Sequence, residues 1–167
     1  MDAVSLQEVI DEHAKQMYNM IFRMVPSRED AQDLTQETFL RVVQKIDGFQ
    51  NKSKLSTWIH QIALNVVRDY YRQREETQVL EENILYYDRQ NDTEKKVLNN
   101  ERQRVLLLKI HALKPWMKEV VILRDVLGYS YQEIAEIIQE EEGTVKSRIS
   151  RARDRLREEL KDWKVKS

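Results

Sequence analysis

The chain has 167 residues, enough for one ordinary domain or two small ones, and only 3 glycines and 2 prolines. This scarcity favours helices, because tight turns and β-sandwiches need both residue types, and the absence of cysteine excludes disulfides and thiolate metal sites. No apolar run reaches the roughly 18 residues of a membrane span, and the acidic N-terminus lacks a signal-peptide pattern. We therefore expect a soluble, cytoplasmic protein.

Positive charge is concentrated in two blocks, although the net charge is only −1. Residues 52–74 carry 5 basic and 1 acidic side chains, and residues 143–167 carry 9 and 4. The segments 1–51 and 75–142 are acidic, with net charges of −4 and −6. Local basic fields can hold nucleic-acid phosphates while an acidic remainder suppresses indiscriminate binding.

Apolar residues recur at three- and four-residue intervals from the start of the chain, which predicts helices. Residues 6–24 form the apolar face of a first helix. Ser27 is a suitable N-cap for a second helix, and a third helix has its apolar face over residues 55–70. These helices predict a first small domain over residues 1–76.

Helical periodicity is lost over residues 77–92, which are acidic and predict a flexible linker, although Tyr86 and Tyr87 could dock elsewhere. It returns over residues 93–167, where four more helices predict a second small domain. The starts of these helices are marked by Thr93, Pro115, Ser130 and Gly143. The predicted fold class is therefore all-α, with two small helical domains joined by a flexible linker.

The last two helices have the proportions of a helix-turn-helix, with a short helix, a brief turn and a longer basic helix. Opposite its apolar residues, the seventh helix presents small hydroxyls and cationic groups: Lys146, Ser147, Arg148, Ser150 and Arg151. Arginine can address guanine bidentately in the major groove, while serine and lysine reach base edges and phosphates. A solvated basic face explains the same pattern about equally well, because charged outward faces are common.

A polar stripe on the third helix is formed by Gln61, Asn65, Arg68 and Arg72. Amide and guanidinium groups in one row can hydrogen-bond base edges and phosphates. The nearby aromatic residues Phe49, Tyr70 and Tyr71 could stack on unpaired bases. Aromatic residues at helical spacing are more often core residues, so the pattern alone favours a structural role.

The outer surface of the second helix carries an acidic and amide cluster, made by Asp30, Asp33, Gln36 and Glu37. A cation-rich protein surface could bind it, and a solvated helix N-terminus explains it almost as well. The chain has no glycine-rich phosphate loop, no paired nucleophile and base, and no histidine or carboxylate set at metal-ligand spacing. We therefore expect no catalytic site, no cofactor and no metal.

Two pairs of segments resemble a known family. "EDAQDLTQETFLRVVQKIDGF" and "SKLSTWIHQIALNVVRDYYR" are similar to region 2 of the extracytoplasmic-function sigma factors of bacterial RNA polymerase. "MKEVVILRDVLGYSYQEIAEII" and "GTVKSRISRARDRLREEL" are similar to region 4. The last segment type also recurs in response-regulator output domains, but both pairs in this order are specific to the sigma factors.

The resemblance implies a protein that joins core RNA polymerase, recognises promoter DNA and helps to separate its strands. It implies docking on the clamp helices of the largest polymerase subunit for Asp30, Asp33, Gln36, Glu37 and Phe39. It implies recognition of the minus-ten element, with one unpaired base in a pocket, for Phe49, Asn51, Lys52, Ser53, Gln61, Asn65, Arg68 and Arg72. It implies recognition of the minus-35 element for Thr144, Lys146, Ser147, Arg148, Ser150 and Arg151.

The resemblance also implies further partners. The fourth and fifth helices would meet the flap of the second-largest polymerase subunit. An anti-sigma factor, often anchored in the membrane, is expected as a regulator. Two rivals to this interpretation are a free-standing helix-turn-helix regulator, which would not need the region 2 segments, and a helical scaffold, which would leave both basic blocks unexplained.

The turn before the seventh helix departs from the family pattern. Sigma factors usually place a glycine and then an apolar residue there, whereas this chain has Gln139 and Glu140. Gln139 lacks the conformational freedom of glycine. Glu140 either turns outward or pairs with a cation such as Lys146 or Arg148. We expect the outward position, because water best relieves the repulsion among three consecutive glutamates.

Overall fold

The computed structural model describes residues 3–74, 100–161 and 163. Within these ranges it contains helices and no strand, which confirms the all-α prediction. The helices are α1 (Ala3–Met24), α2 (Arg28–Lys45), α3 (Leu55–Gln73), α4 (Asn100–Ala112), α5 (Pro115–Val121), α6 (Tyr131–Ile138) and α7 (Glu142–Leu160). The predicted linker with Tyr86 and Tyr87, and the predicted helix start at Thr93, lie outside the described residues.

Local capping chemistry sets the helix starts as the sequence predicts. The Ser27 hydroxyl accepts a hydrogen bond from the backbone N–H of Asp30 at 3.3 Å. Ser130 and Glu133 form a reciprocal capping box, in which each side chain accepts from the other's backbone N–H at 3.0 and 3.1 Å. Pro115 occupies the first turn of α5, where its missing N–H costs nothing.

The region after α5 stays helical beyond the end of the α-helix. A π-helical turn, Ile122–Val126, follows directly, and the backbone N–H of Leu127 donates to the carbonyl oxygen of Ile122 at 2.9 Å. Gly128 then adopts a φ of 77°, a left-handed conformation that favours glycine. This glycine therefore ends the helical segment, as its position in the sequence predicts.

One continuous cluster of buried apolar side chains runs through both parts of the described chain. Met17 and Ile59 from the N-terminal part and Leu123 and Ile149 from the C-terminal part all belong to it. Helix α3 contacts α6, and α1 contacts the π-helical turn. The N-terminal helices (α1 to α3) and the C-terminal helices (α4 to α7) therefore pack directly against each other, which the sequence did not predict.

Candidate polymerase and promoter surfaces

The outer face of α2 carries most of the predicted polymerase-docking residues. Asp33 and Gln36 are exposed, and Glu37 is half-exposed. Glu37 accepts a hydrogen bond from Arg41 Nε at 3.0 Å, and Arg41 Nη1 also donates to Asp69 Oδ2 on α3 at 3.0 Å. This bridge holds α2 against α3 and fixes the direction in which the acidic face points.

Two members of the predicted docking set, Asp30 and Phe39, make contacts within the protein. Asp30 accepts hydrogen bonds from Tyr70 Oη at 3.0 Å and from Arg74 Nη1 at 2.9 Å, which ties the start of α2 to the end of α3. Phe39 is 8 % exposed and packs in the core. This burial does not fit a docking role for Phe39, because a buried aromatic ring contributes to the protein core and not to an outer surface.

Two exposed apolar side chains of α2 are absent from the docking set that the sequence predicts. Leu40 is 58 % exposed and Val43 is 43 % exposed. Leu40 lies outside the three- and four-residue spacing of the buried residues of α2, which are Ala31, Thr38, Phe39 and Val42, whereas Val43 lies four residues after Phe39 and is exposed all the same. The spacing is therefore a signal that could have found Leu40 but not Val43. They extend the acidic surface with an apolar patch.

The loop before α3 presents two of its predicted minus-ten residues to solvent. Asn51 and Lys52 are exposed, and Asn51 has a φ of 55°, a left-handed conformation that asparagine tolerates better than most residues. Ser53 is half-buried. The ring of Phe49 lies 5.0 Å from that of Trp58, so it is partly occupied by a contact within the protein.

The polar stripe of α3 is divided between solvent and the C-terminal helices. Asn65 is exposed, and Arg72 is exposed with its Nη2 2.9 Å from Asp69 Oδ1. Gln61 and Arg68 instead face the C-terminal helices. Gln61 Nε2 donates to the backbone carbonyl oxygen of Glu136 on α6 at 2.6 Å.

Arg68 makes the strongest polar contact of the stripe. Its Nε donates to Glu119 Oε1 at 2.9 Å, and its Nη2 donates to Glu119 Oε2 at 3.1 Å. The Glu119 side chain is 7 % exposed, whereas that of Arg68 is 36 % exposed. A bidentate guanidinium–carboxylate pair of this kind combines charge with fixed geometry. Nothing local in the sequence indicates Glu119, which lies in a different helix.

Tyr129 also joins the two groups of helices. Its hydroxyl accepts from Gln16 Nε2 on α1 at 2.7 Å and lies 2.6 Å from His60 Nε2 on α3. His60 Nδ1 lies 2.5 Å from the carbonyl oxygen of Ser56, which has no hydrogen to give. Nδ1 therefore carries the proton, and Nε2 accepts from the tyrosine. Burial lowers the pKa of His60, which keeps the ring in this neutral form.

The two tyrosines at the end of α3, Tyr70 and Tyr71, pack against the protein core. Tyr71 donates to the carbonyl oxygen of Met24 and accepts from Lys118 Nζ at 2.9 Å, with the ammonium 4.6 Å from the ring centroid. Burial raises the pKa of the Tyr71 hydroxyl, so it remains a donor. Tyr70 packs edge-on against Tyr71. Both rings are partly buried against the core, and each has a cation near one face, which favours the structural role.

The predicted minus-35 face of α7 is largely open to solvent. Val145, Ile149, Ala152 and Leu156 are buried, as predicted. Of the residues predicted for this face, Lys146, Ser147, Ser150 and Arg151 are exposed, while Thr144 and Arg148 are half-buried. Among the described residues Arg151 forms no ion pair, so its guanidinium is free to bind.

The turn before α7 accommodates its unusual residues. Gln139 adopts a φ of 58°, the left-handed conformation in which the family usually has glycine. Glu140 is exposed, which confirms the expected outward position, and its carboxylate also accepts from Arg148 Nη2 at 3.1 Å. Lys146 pairs with Glu142 instead, with 3.6 Å between Lys146 Nζ and Glu142 Oε1. The outward and paired positions, posed as alternatives, therefore occur together.

Other kinds of site are not found in the part of the chain that the structure describes. There, no group of three or more histidine or acidic side chains could hold a metal ion. None of the helices in the same ranges is long and apolar enough to span a bilayer.

Comparison with known proteins identifies the family. The Sigma-70 region 2 family matches residues 9–77, and the Sigma-70, region 4 family matches residues 103–156. The ECF RNA polymerase sigma-E factor of Haemophilus influenzae is 31% identical over 95% of this chain and 89% of its own length. The ECF RNA polymerase sigma factor SigW of Bacillus subtilis is 30% identical over 96% of this chain and 91% of its own length.

Solved structures share the fold. The sigma factor RpoE of Bartonella quintana, in complex with the anti-sigma factor NepR, matches with a TM-score of 0.70 at 23% identity, over 96% of this chain and 99% of that one. CnrH, in complex with the cytosolic domain of CnrY, matches with a TM-score of 0.70 at 21% identity, over 98% of this chain and 92% of that one.

The helical fold and the exposed basic helix-turn-helix define a DNA-recognition protein. The chain belongs to the extracytoplasmic-function sigma factors of RNA polymerase. It binds core RNA polymerase and directs promoter-specific transcription initiation.

Proposed function

We propose that initiation is divided among three surfaces of this sigma factor. The outer face of α2 docks on the clamp helices of the largest polymerase subunit. The loop 49–53 and α3 read and help to open the minus-ten element, and α7 reads the minus-35 element. Residues 1–76 and 93–167 act as the two functional units, with 77–92 as the linker between them.

The open face of α7 is the observation that carries this proposal. Ser147, Ser150 and Arg151 are exposed on the second helix of a helix-turn-helix, the position that enters the major groove. The ion-pair-free guanidinium of Arg151 can donate two hydrogen bonds to O6 and N7 of a guanine. Lys146, also exposed, supplies a phosphate contact from the flank of the same face.

The minus-ten assignment rests on the exposed half of the α3 stripe and the preceding loop. Asn65 supplies an amide for base edges, and Lys52 and Arg72 supply positive charge for the backbone of a separated strand. Gln61 and Arg68 join this reader only when the C-terminal helices release them, since both are hydrogen-bonded there.

The docking assignment combines charge with apolar contact. Asp33 and Glu37 attract a basic surface, and Leu40 and Val43 give the contact an apolar centre. Interfaces with such an apolar centre and a polar rim are typical of stable complexes. On the C-terminal side, α4 and α5 would meet the flap of the second-largest subunit.

An anti-sigma factor is the proposed regulator. Two chains of the same fold were solved with an anti-sigma factor or with the cytosolic domain of a partner protein. We place the protein in the cytoplasm, held near the membrane if its anti-sigma factor is anchored there.

Run-off transcription tests the proposed function. Core polymerase is incubated with and without the protein on a promoter library in which the minus-35 and minus-ten elements are randomised separately. We expect transcripts only with the protein, and enrichment of one sequence in each element. Tight, sequence-specific binding of the free protein to duplex promoter without polymerase would instead identify a free-standing regulator.

A further inference from the structure

The cations of α7 are almost all engaged by carboxylates of the protein itself. Among the described residues, five of its six lysines and arginines form an ion pair, and Arg151 forms none. The five pairs are Lys146–Glu142, Arg148–Glu140, Arg153–Asp125, Arg155–Glu159 and Arg157–Asp154. Most of the positive charge of this helix is therefore compensated before DNA binds.

Two of these carboxylates belong to the turn that departs from the family pattern and to the start of α7. Glu140 Oε1 lies 3.1 Å from Arg148 Nη2, and Glu142 Oε1 lies 3.6 Å from Lys146 Nζ. Residues 139–151, which are the turn and the first half of α7, contain three acidic and three basic side chains. The part of the helix-turn-helix that would face the minus-35 duplex thus carries no net charge.

Phosphate binding by a paired cation is an exchange of one anion for another. When Lys146 or Arg148 turns to a DNA phosphate, its carboxylate loses a partner and is left facing a negatively charged backbone. An unpaired cation instead releases counterions from the DNA, which drives most sequence-independent binding. Arg151 can bind a base edge without this exchange, because no carboxylate holds it among the described residues.

We propose that Glu140 and Glu142 are specificity-determining residues, which withhold Arg148 and Lys146 from phosphates so that duplex binding by α7 depends on the base contacts of Arg151. The proposal rests on the proposed minus-35 role of α7. Both glutamates act through a cation and are positioning residues. Random DNA therefore gains little from α7, whereas the correct minus-35 element gains the bidentate contact of Arg151 in full.

The openness of the two pairs allows the exchange to occur. The side chains of Glu140 and Glu142 are 40% and 52% exposed, and those of Arg148 and Lys146 are 29% and 58% exposed. Ion pairs that are this accessible to water contribute little to stability. Their carboxylates can therefore be changed to amides without unfolding the helix-turn-helix.

The salt dependence of duplex binding tests the withholding. A fluorescein-labelled duplex of random sequence is titrated with the full-length chain at several KCl concentrations, starting at low ionic strength. Glu140→Gln and Glu142→Gln each remove one negative charge and keep an acceptor oxygen. We expect each variant to bind more tightly and to steepen the slope of log affinity against log salt concentration by up to about 0.9, the value for one added phosphate contact.

Glu158→Gln is the matched control for net charge. Glu158 is exposed near the other end of α7 and forms no ion pair among the described residues, so the slope should match that of the unsubstituted chain. Arg148→Gln is the control for mechanism. In that background Glu140→Gln has no guanidinium to release and should leave the slope unchanged. Glu142→Gln covers the case in which Glu140→Gln disturbs the turn.

Transcription by the holoenzyme tests the effect on specificity. Core polymerase with each variant transcribes two promoters that differ only in the minus-35 element, one with the sequence enriched from the library and one with the same bases scrambled. We expect the double variant, Glu140→Gln with Glu142→Gln, to lower the ratio of the two transcripts several-fold. The scrambled promoter should gain more than the intact one, because phosphate contacts are available on both.

The outcomes separate this proposal from the minus-35 assignment. Unchanged salt slopes in both single variants overturn it, and so does an unchanged transcript ratio in the double variant. Weaker transcription by the Glu140→Gln variant from the intact promoter alone also overturns it, since Glu140 would then accept a hydrogen bond from a cytosine. A failure of the minus-35 assignment appears elsewhere, as a minus-35 preference that survives Arg151→Ala while the steeper salt slopes persist.

Discussion

Arg68 and Glu119 form a bidentate ion pair across 51 positions of sequence, with one partner on α3 and the other on α5. The hydrogen bond to Glu119 raises the pKa of Arg68 above its ordinary value. The pair is unequally buried, with the carboxylate enclosed and the guanidinium partly open. The ion pair therefore contributes to the stability of the protein and at the same time occupies Arg68, a proposed DNA-binding side chain.

We expect Glu119→Ala to lower the free energy of unfolding by about 1–3 kcal/mol, which is below the cost of breaking a fully buried pair because Arg68 retains access to water. Urea denaturation at neutral pH measures the change. Asp125→Ala breaks an ion pair whose two partners are both 37% exposed, and should cost less than about 1 kcal/mol. Equal losses in the two variants would contradict the distinct role of Glu119.

Stability should depend on pH through His60 and His111. Burial lowers the pKa of His60, and it lowers the pKa of His111 to about 3. The unfolded chain binds protons near the ordinary histidine pKa of 6.5, whereas the folded chain binds them only at lower pH. Stability is therefore full above about pH 7 and falls as the pH drops below 6.5.

His60→Gln isolates the contribution of His60 to this pH dependence. His13 and Glu133 also face His60 electrostatically, lowering and raising its pKa respectively, and both remain in the variant. The variant should lose less stability per pH unit below 6.5, by at most about 1.4 kcal/mol per unit. Urea unfolding midpoints measured from pH 5 to pH 7.5 give the two slopes. Parallel slopes would show that His60 is not the responsible group.

Arg151→Ala and Asn65→Ala should affect different promoter elements. Loss of a bidentate base contact by Arg151 should cost about 1–3 kcal/mol at the minus-35 element. Asn65→Ala should act on the minus-ten element and shorten the life of the open complex. Transcription from promoters mutated in one element at a time separates them.

Arg157→Ala controls for the loss of positive charge from α7, since Arg157 is exposed and pairs with Asp154 at 2.8 Å. It should leave the preference at both promoter elements unchanged. Identical losses for Arg151→Ala and Asn65→Ala on every promoter would refute the division of labour between the two helices.

The double substitution Asp33→Lys with Glu37→Lys should weaken association with core polymerase by reversing the charge of the α2 surface. Helix content should stay unchanged, because neither side chain is buried. Competition with a labelled sigma factor for core polymerase measures the effect. Glu8→Lys with Glu12→Lys reverses two exposed charges on α1 and should compete normally. Normal competition by the α2 variant as well would remove the docking assignment.

Local chemistry in the sequence determined the helices and the faces that they bury. Ser27, Pro115 and Ser130 start their helices as predicted, because capping and proline effects depend only on residues within one turn. The buried and open faces of α7 follow from its 3.6-residue period in the same way. The exposure of the proposed reader residues of that helix was therefore predictable from sequence.

Only the tertiary structure decided which polar residues stay free. Gln61 and Asn65 are one turn apart on the same predicted stripe, yet Gln61 binds the carbonyl oxygen of Glu136 and Asn65 faces solvent. Arg68 pairs with Glu119 only because the tertiary fold brings α5 within side-chain reach of α3, and no local pattern encodes a pairing over 51 positions. Periodicity specifies the face of a helix, whereas the partner of that face depends on how separate helices pack together.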